Sequence, residues 1–203
     1  MTERFNQVAK EWDSGDMRQN IAHAVFQTIT SRIALLNHMD IMDFGAGTGL
    51  LSFKIAQMVK NVVGVDLSEK MLEQLHSKNS DKICVDTICQ NICEVPLDKQ
   101  FHGIVSSMAM HHVEDTADLF RTFHSHLKQN GFIAIADLEA EDGSFHSHGN
   151  EGVYHFGFER DTLRETIENA GFENVRFHHA YTVEKEDRAY PIFLVTAHKQ
   201  DRG

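Results

Sequence analysis

Apolar positions along the chain recur with two periods, and the periods alternate. Over residues 20–36 (NIAHAVFQTITSRIALL), the spacing of Ile21, Val25, Ile29, Ile33 and Leu36 predicts a helix with one buried face. A short apolar run at 41–44 stops at Gly45 and reads as a strand. Residues 50–59 carry helical spacing, and the β-branched run 62–65 reads as a second strand closing at Asp66. Ser68 is placed to cap a helix bearing Met71, Leu72 and Leu75. Strands three and four are expected at 82–86 and 101–106. Asp115 and Asp118 open a helix with Leu119, Phe120, Phe123 and Leu127 on one side, and Asn130-Gly131 is expected to end it. A strong strand follows at 132–138, then a helix at 158–170 closed by Gly171, then two last strands at 175–183 and 192–198.

Strands that alternate with helices predict an α/β fold, a mostly parallel sheet with helices on both faces. Seven strand-like runs are present. The last follows its predecessor with no helix between, so the turn over 184–190 implies an antiparallel last strand. The only prolines are Pro96 and Pro191, no repeat is evident, and no linker composition divides the 203 residues, so one domain is expected over 1–203.

Composition narrows the partners. Hydrophobic residues make up 41% and charged residues 24%, a globular balance. The formal net charge of −11 repels phosphate backbones and argues against bulk nucleic acid as a ligand. No apolar run approaches the roughly 20 residues of a membrane span. The opening MTERFNQVAKEWDSGD has no apolar leader region, so no secretory signal is expected, and the expected location is cytoplasmic. Cys84, Cys89 and Cys93 are odd in number and match no zinc spacing, so they read as free thiols.

The strongest chemical signal is Asp43-Phe44-Gly45-Ala46-Gly47-Thr48-Gly49, at the junction of a strand and a helix. Glycines there let the backbone turn tightly and approach a ligand, and a helix start offers free N–H groups. In open α/β sheets ligands lie at the carboxyl ends of the strands. The spacing is G-x-G-x-G, and Leu50 stands where a dinucleotide fingerprint wants Gly or Ala, which disfavours a nicotinamide or flavin enzyme. Asp66 closes the next strand, where an acid can accept both hydrogen bonds of a ribose diol.

The segments DFGAGTGLLS, VVGVDLSEKML and IVSSMAMHHVED resemble successive motifs of the class I S-adenosylmethionine-dependent methyltransferases, in particular a small-molecule branch often called type 11 or type 12. FNQVAKEWD is similar to the N-terminal cofactor lid of that branch, which implies a helical lid over 1–37. The resemblance implies a Rossmann-like three-layer sandwich that binds S-adenosyl-L-methionine and releases S-adenosyl-L-homocysteine. By position it implies Gly45, Ala46 and Gly47 against the methionine half and Asp43 orienting the amino group. It further implies Asp66 on the ribose, and Leu67 and Met71 beside the adenine. Asn91 and Ile92 stand where the family carries a Gly-Asp-Ala-like segment, with Asn91 replacing the common Asp. Ser106 to Met108, with Ser107 as the contact residue, would pass beside the methionine and the transferred methyl group. Met71 also fits a plain core position, and Asp43 a purely structural acid.

His111 and His112 follow a strand end and are candidates for a base on the acceptor side, with a structural role as the alternative. The stretch 139–158 (EAEDGSFHSHGNEGVYHFGF) is long for a loop without periodicity and is expected to be a substrate lid. It adds His146 and His148 as candidate bases. A metal on His146, His148, His155 and Asp137 matches no known template, and no metal is expected. His124 and His126 are expected to be solvated. The function expected is methyl transfer to a small-molecule acceptor; the alternatives are a protein acceptor, or a cofactor-binding subunit without catalysis.

Overall fold

The computed structural model describes residues 2–146, 149–185 and 187–200. Its centre is a seven-stranded sheet in the order β3-β2-β1-β4-β5-β7-β6. The strands are β1 (Asp40–Phe44), β2 (Asn61–Asp66), β3 (Asp86–Cys89), β4 (Phe101–Ser107), β5 (Leu127–Leu138), β6 (Phe172–Lys185) and β7 (Arg188–Lys199). Pairings β1–β2, β2–β3, β1–β4 and β4–β5 are parallel, whereas β7 runs antiparallel between β5 and β6. The expected sheet, mostly parallel with an antiparallel last strand, is the one found.

Alternation sorts the core. Ile41, Val62, Val105 and Ala134 point into one cluster, and their neighbours Met42, Val63, Ile104 and Ile133 into another. On the first face, α2 (Asp16–Arg32) contributes Ile21, Val25 and Ile29, and α4 (Glu69–Ser77) contributes Leu72 and Leu75. On the second, α5 (Thr116–His126) buries Leu119, Phe120 and Phe123, and α6 (Arg160–Asn169) buries Leu163 and Ile167. Each such aliphatic or aromatic side chain contributes about 1.5–3 kcal/mol on burial. With both faces covered, the central strands read as continuous apolar runs.

Several local expectations shift. The helix expected over 50–59 is a single turn, α3 (Ser52–Ile55). Strand three is β3 at Asp86–Cys89 rather than 82–86, because Asn79 caps the approach by bonding both the N–H and the carbonyl of Val85. The helix opened by Asp115 stops at His126, before Asn130-Gly131; β5 begins at Leu127, with a register shift opposite Phe101 and Gly103. His126 is buried rather than solvated: its Nε2 accepts the Leu97 N–H at 2.8 Å. Among the described residues, no helix is long and apolar enough to cross a membrane.

The chain order reverses at β1, which has β2 on one side and β4 on the other. Such a switch point splays the connections apart and leaves a crevice at the strand ends. The N-terminal α1 (Thr2–Val8) and a 3-10 turn at Ala9–Ser14 lie across that end of the molecule.

Candidate functional site

The crevice is a cavity of about 540 Å³ between the glycine turn after β1, the end of β2 and the N-terminal segment. Gly45, Gly47 and Gly49 all have positive φ, of 67°, 53° and 83°. The turn at Gly45 brings the backbone against Ala109, where a Cβ would stand only 2.2 Å from the alanine methyl. At Gly47 a Cβ would meet nothing closer than Trp12 Nε1 at 3.9 Å, on the N-terminal segment. Gly45 and Ala46 donate their N–H groups to the Val65 carbonyl at 2.8 and 3.1 Å, which ties the turn to the end of β2.

Two carboxylates face this turn. Asp43 is buried, and its Oδ2 accepts from the Ser52 hydroxyl at 2.5 Å. Burial raises its pKa to about 7; the Ser52 bond opposes the rise and the charge of Asp66 adds to it. Asp66 accepts the Gly47 N–H on Oδ2 and the Ser68 N–H on Oδ1, both at 2.8 Å. Burial pushes Asp66 upward as well, against those backbone bonds. Each Asp66 oxygen retains acceptor capacity beyond its one backbone bond.

Beyond β2, Ser68 caps α4 by accepting the Met71 N–H at 3.2 Å, as its position in the sequence predicts. Leu67 is exposed at the cavity wall, whereas Met71 is almost wholly buried on its floor. Asn91 lies on the wall, with its Nδ2 donating to Glu94 and its Oδ1 accepting from the Cys93 N–H. Ile92 departs from its expected place: its side chain is buried in the second core cluster, and the wall beside Asn91 is formed by Cys93 and Glu94. In a turn with a 3.2 Å bond from Glu94 N to the Asn91 carbonyl, neighbouring side chains point in different directions, and the apolar one turns inward. Ser107 is on the wall, while Ser106 is turned away to donate to the Phe44 carbonyl at 2.7 Å.

The histidines divide. His112 lines the cavity, makes an edge contact with Phe5 at 5.2 Å, and donates from Nδ1 to the Gly152 carbonyl at 2.7 Å. Burial, reinforced by the adjacent His111, lowers its pKa to about 4. His111 is buried behind it and off the cavity wall, with Nδ1 2.7 Å from Asp137 Oδ1. Burial alone would raise the pKa of Asp137, but His111 and the N–H groups of Leu138 and His111 outweigh it and hold the carboxylate low. His146 joins these two, at ring-centroid distances of 5.1 Å from His111 and 6.0 Å from His112. Burial first, then the two neighbouring histidines, lower its pKa to about 4. His148 lies outside the described residues. His155 is elsewhere, its Nε2 directed at the Val113 and Glu114 carbonyls at 3.0 and 3.2 Å.

Sequence reasoning missed the anchors of the N-terminal segment. Asp13 accepts from the Thr48 hydroxyl at 2.5 Å and pairs with Lys78, which also reaches the Thr48 carbonyl at 2.7 Å. Asn6 accepts from the Ser68 hydroxyl at 2.7 Å. Arg18, on the cavity wall, stacks over Trp12 at 3.9 Å. Asn6 and Asp13 lie in the FNQVAKEWD segment, but the sequence does not show what they hold, because Ser68 and Thr48 lie far away along the chain.

The sheet order, the glycine turn and the acid ending β2 fit the class I S-adenosylmethionine-dependent methyltransferases, which the chain resembles. Residues 41–131 match the family described as methyltransferase domain. An uncharacterized methyltransferase of Schizosaccharomyces pombe is 30% identical over 153 residues, covering 67% of this chain and 54% of that protein. A ubiquinone biosynthesis O-methyltransferase of Rickettsia felis is 23% identical over 145 residues, covering 67% and 59%. The chain thus spans just over half the length of these relatives. The fold is also that of phosphoethanolamine N-methyltransferase 2 from Haemonchus contortus, solved with S-adenosyl-L-methionine, at a TM-score of 0.71 and 15% identity over 97% of this chain and 60% of that one.

Proposed function

We propose that the crevice binds S-adenosyl-L-methionine and that the chain catalyses transfer of its methyl group to a small-molecule acceptor. The observation that carries this reading is the pair Asp43 and Asp66 around a glycine turn in which the Gly45 and Ala46 N–H groups bond Val65 and the Gly47 N–H bonds Asp66. Two carboxylates suit a ligand carrying positive charge and a ribose, and they repel a pyrophosphate. Bound there, the sulfonium supplies a methyl group already activated for transfer.

The residues of this chain then have to bind, orient and exclude water. Asp43 takes the amino group of the methionine half, with the backbone of Gly45, Ala46 and Gly47 alongside. Arg18 is the cation on the wall available for its carboxylate. Asp66 takes the ribose hydroxyls, Leu67 and Met71 flank the adenine, and Asn91 presents its carboxamide to the adenine edge. Ile92 supports that wall from the core. Ser107 lies at the methyl end. Phe5, Trp12 and the rest of the segment within 1–37 act as the lid on one side, and Tyr154 of the 139–158 connection acts on the other. His112, with His111 behind it, sits on the acceptor side. The likeness to an O-methyltransferase of ubiquinone biosynthesis favours a small acceptor.

The test is incubation with methyl-labelled donor and a metabolite extract, followed by separation of small molecules from protein. Label in the small-molecule fraction is the expected result. Label in the protein fraction alone would replace the acceptor class, and label in neither, with donor bound, would reject catalysis.

A further inference from the structure

We propose that His111, His112 and His146 form a binding site for a divalent transition-metal ion of the zinc type, adjoining the acceptor side of the cavity. The three come from two separate stretches of chain, the 3-10 turn Met110–His112 after β4 and the connection after β5. One ring nitrogen of each lies within 4.8 Å of the others. Imidazole nitrogens about 2.0–2.1 Å from a tetrahedral zinc stand roughly 3.4 Å apart, so these need to converge by roughly 1.5 Å at most.

Hydrogen bonding prepares the rings for this role. His111 Nδ1 bonds the Asp137 carboxylate and His112 Nδ1 bonds the Gly152 carbonyl, each at 2.7 Å. Both partners are acceptors, so each Nδ1 carries a proton and each Nε2 presents a lone pair. A carboxylate or carbonyl behind the far nitrogen is the arrangement that orients metal-bound imidazoles. His146 supplies an independent observation: its Nδ1 is buried and has no hydrogen-bond partner among the described residues. Buried polar atoms are nearly always satisfied, and the tilted contact with His111 and the edge contact with Phe145 supply this one with no hydrogen bond. A metal ion accounts for all three rings at once.

The donor set fixes the class of ion. Three imidazoles without thiolate or carboxylate suit zinc and its neighbours rather than calcium, magnesium or copper(I). Three protein ligands leave a fourth position open, the pattern of a reactive rather than a structural site. His112 is the member on the cavity wall, so the open position adjoins the proposed acceptor side. Resting on the methyl-transfer reading, this names the acceptor chemistry: an oxygen donor, such as a phenol, that binds the ion directly.

The experiment uses untagged protein stripped with chelator and titrated with Co²⁺, without S-adenosyl-L-methionine. Tetrahedral cobalt gains a visible ligand-field band that the aqueous ion lacks. The expected result is saturation at one ion per chain, displaced by Zn²⁺. Asp137→Asn should weaken binding about 10- to 100-fold, and His146→Ala at least tenfold. No saturable band, or undiminished binding in both variants, overturns the site. Failure of the methyl-transfer reading would show separately, as absence of S-adenosyl-L-methionine binding to metal-free and loaded protein alike.

Discussion

Asp43 should contribute a fall in the stability of the ligand-free protein as pH rises through the acidic range, opposed by His112 and His146, whose lowered pKa values add stability over the same range. The Asp43 carboxyl is 1% exposed and receives one side-chain hydrogen bond, from Ser52. Burial lifts its pKa from 3.8 to about 7. Between those values the folded chain holds a proton that the unfolded chain has released. The contribution of Asp43 to the slope of stability with pH is then negative over that window and levels off above it. Roughly three pKa units at about 1.4 kcal/mol each set an upper limit near 4 kcal/mol. Water entering the cavity wall reduces this, so about 2–4 kcal/mol is expected.

Asp43→Asn keeps an oxygen to accept from Ser52 and removes the charge. The variant should therefore exceed the wild type at about pH 8 by that amount, or roughly 5–15 °C in Tm for a chain of this size. The two should nearly coincide at about pH 3, below the unfolded pKa of Asp43. Thermal melts of both ligand-free proteins across the range test this. A gap independent of pH, or a variant less stable at about pH 8, would refute the reasoning. The same charge is what a cationic ligand would find, so the variant that gains stability should lose affinity for S-adenosyl-L-methionine.

Other substitutions probe the scaffold around that charge. Gly45→Ala forces a methyl onto Ala109 at a positive φ, and chemical denaturation should show a loss of at least about 2 kcal/mol. Ser68→Ala removes the cap of α4 and the bond to Asn6; about 1–2 kcal/mol should be lost, and proteolysis near α1 should quicken. Asp66→Ala removes the acceptor of the Gly47 and Ser68 N–H groups, and calorimetry should show S-adenosyl-L-methionine binding at least tenfold weaker, since a charge-assisted bond contributes about 1.5–3 kcal/mol. Unchanged affinity would remove the ribose assignment.

The sheet and its crevice were legible because their signals are local. The run at 41–44 is apolar but for Asp43 and stops at Gly45, the run at 62–65 is apolar and stops at Asp66, and Ser68 announces its helix by position alone. The glycine turn reads directly, since positive φ at Gly45 and Gly47 needs the residue that tolerates it. Contacts closed over long sequence distance were not legible. Asp13 with Thr48, and Asn6 with Ser68, unite segments 35 and 62 residues apart. His126 reads as a surface residue on a helix until Leu97, 29 residues away, places an N–H against it. The histidine cluster is the same kind of case: His111 and His112 were noticed together, but nothing in the spacing shows that His146 meets them.

The account turns on which nucleotide ligand enters the crevice beside Asp43 and Asp66. Isothermal titration of the ligand-free protein with S-adenosyl-L-methionine, S-adenosyl-L-homocysteine and NAD compares the candidates in one experiment. The account predicts saturable one-to-one binding of the first two and none of NAD. Binding of NAD with no heat from either sulfur compound would contradict it.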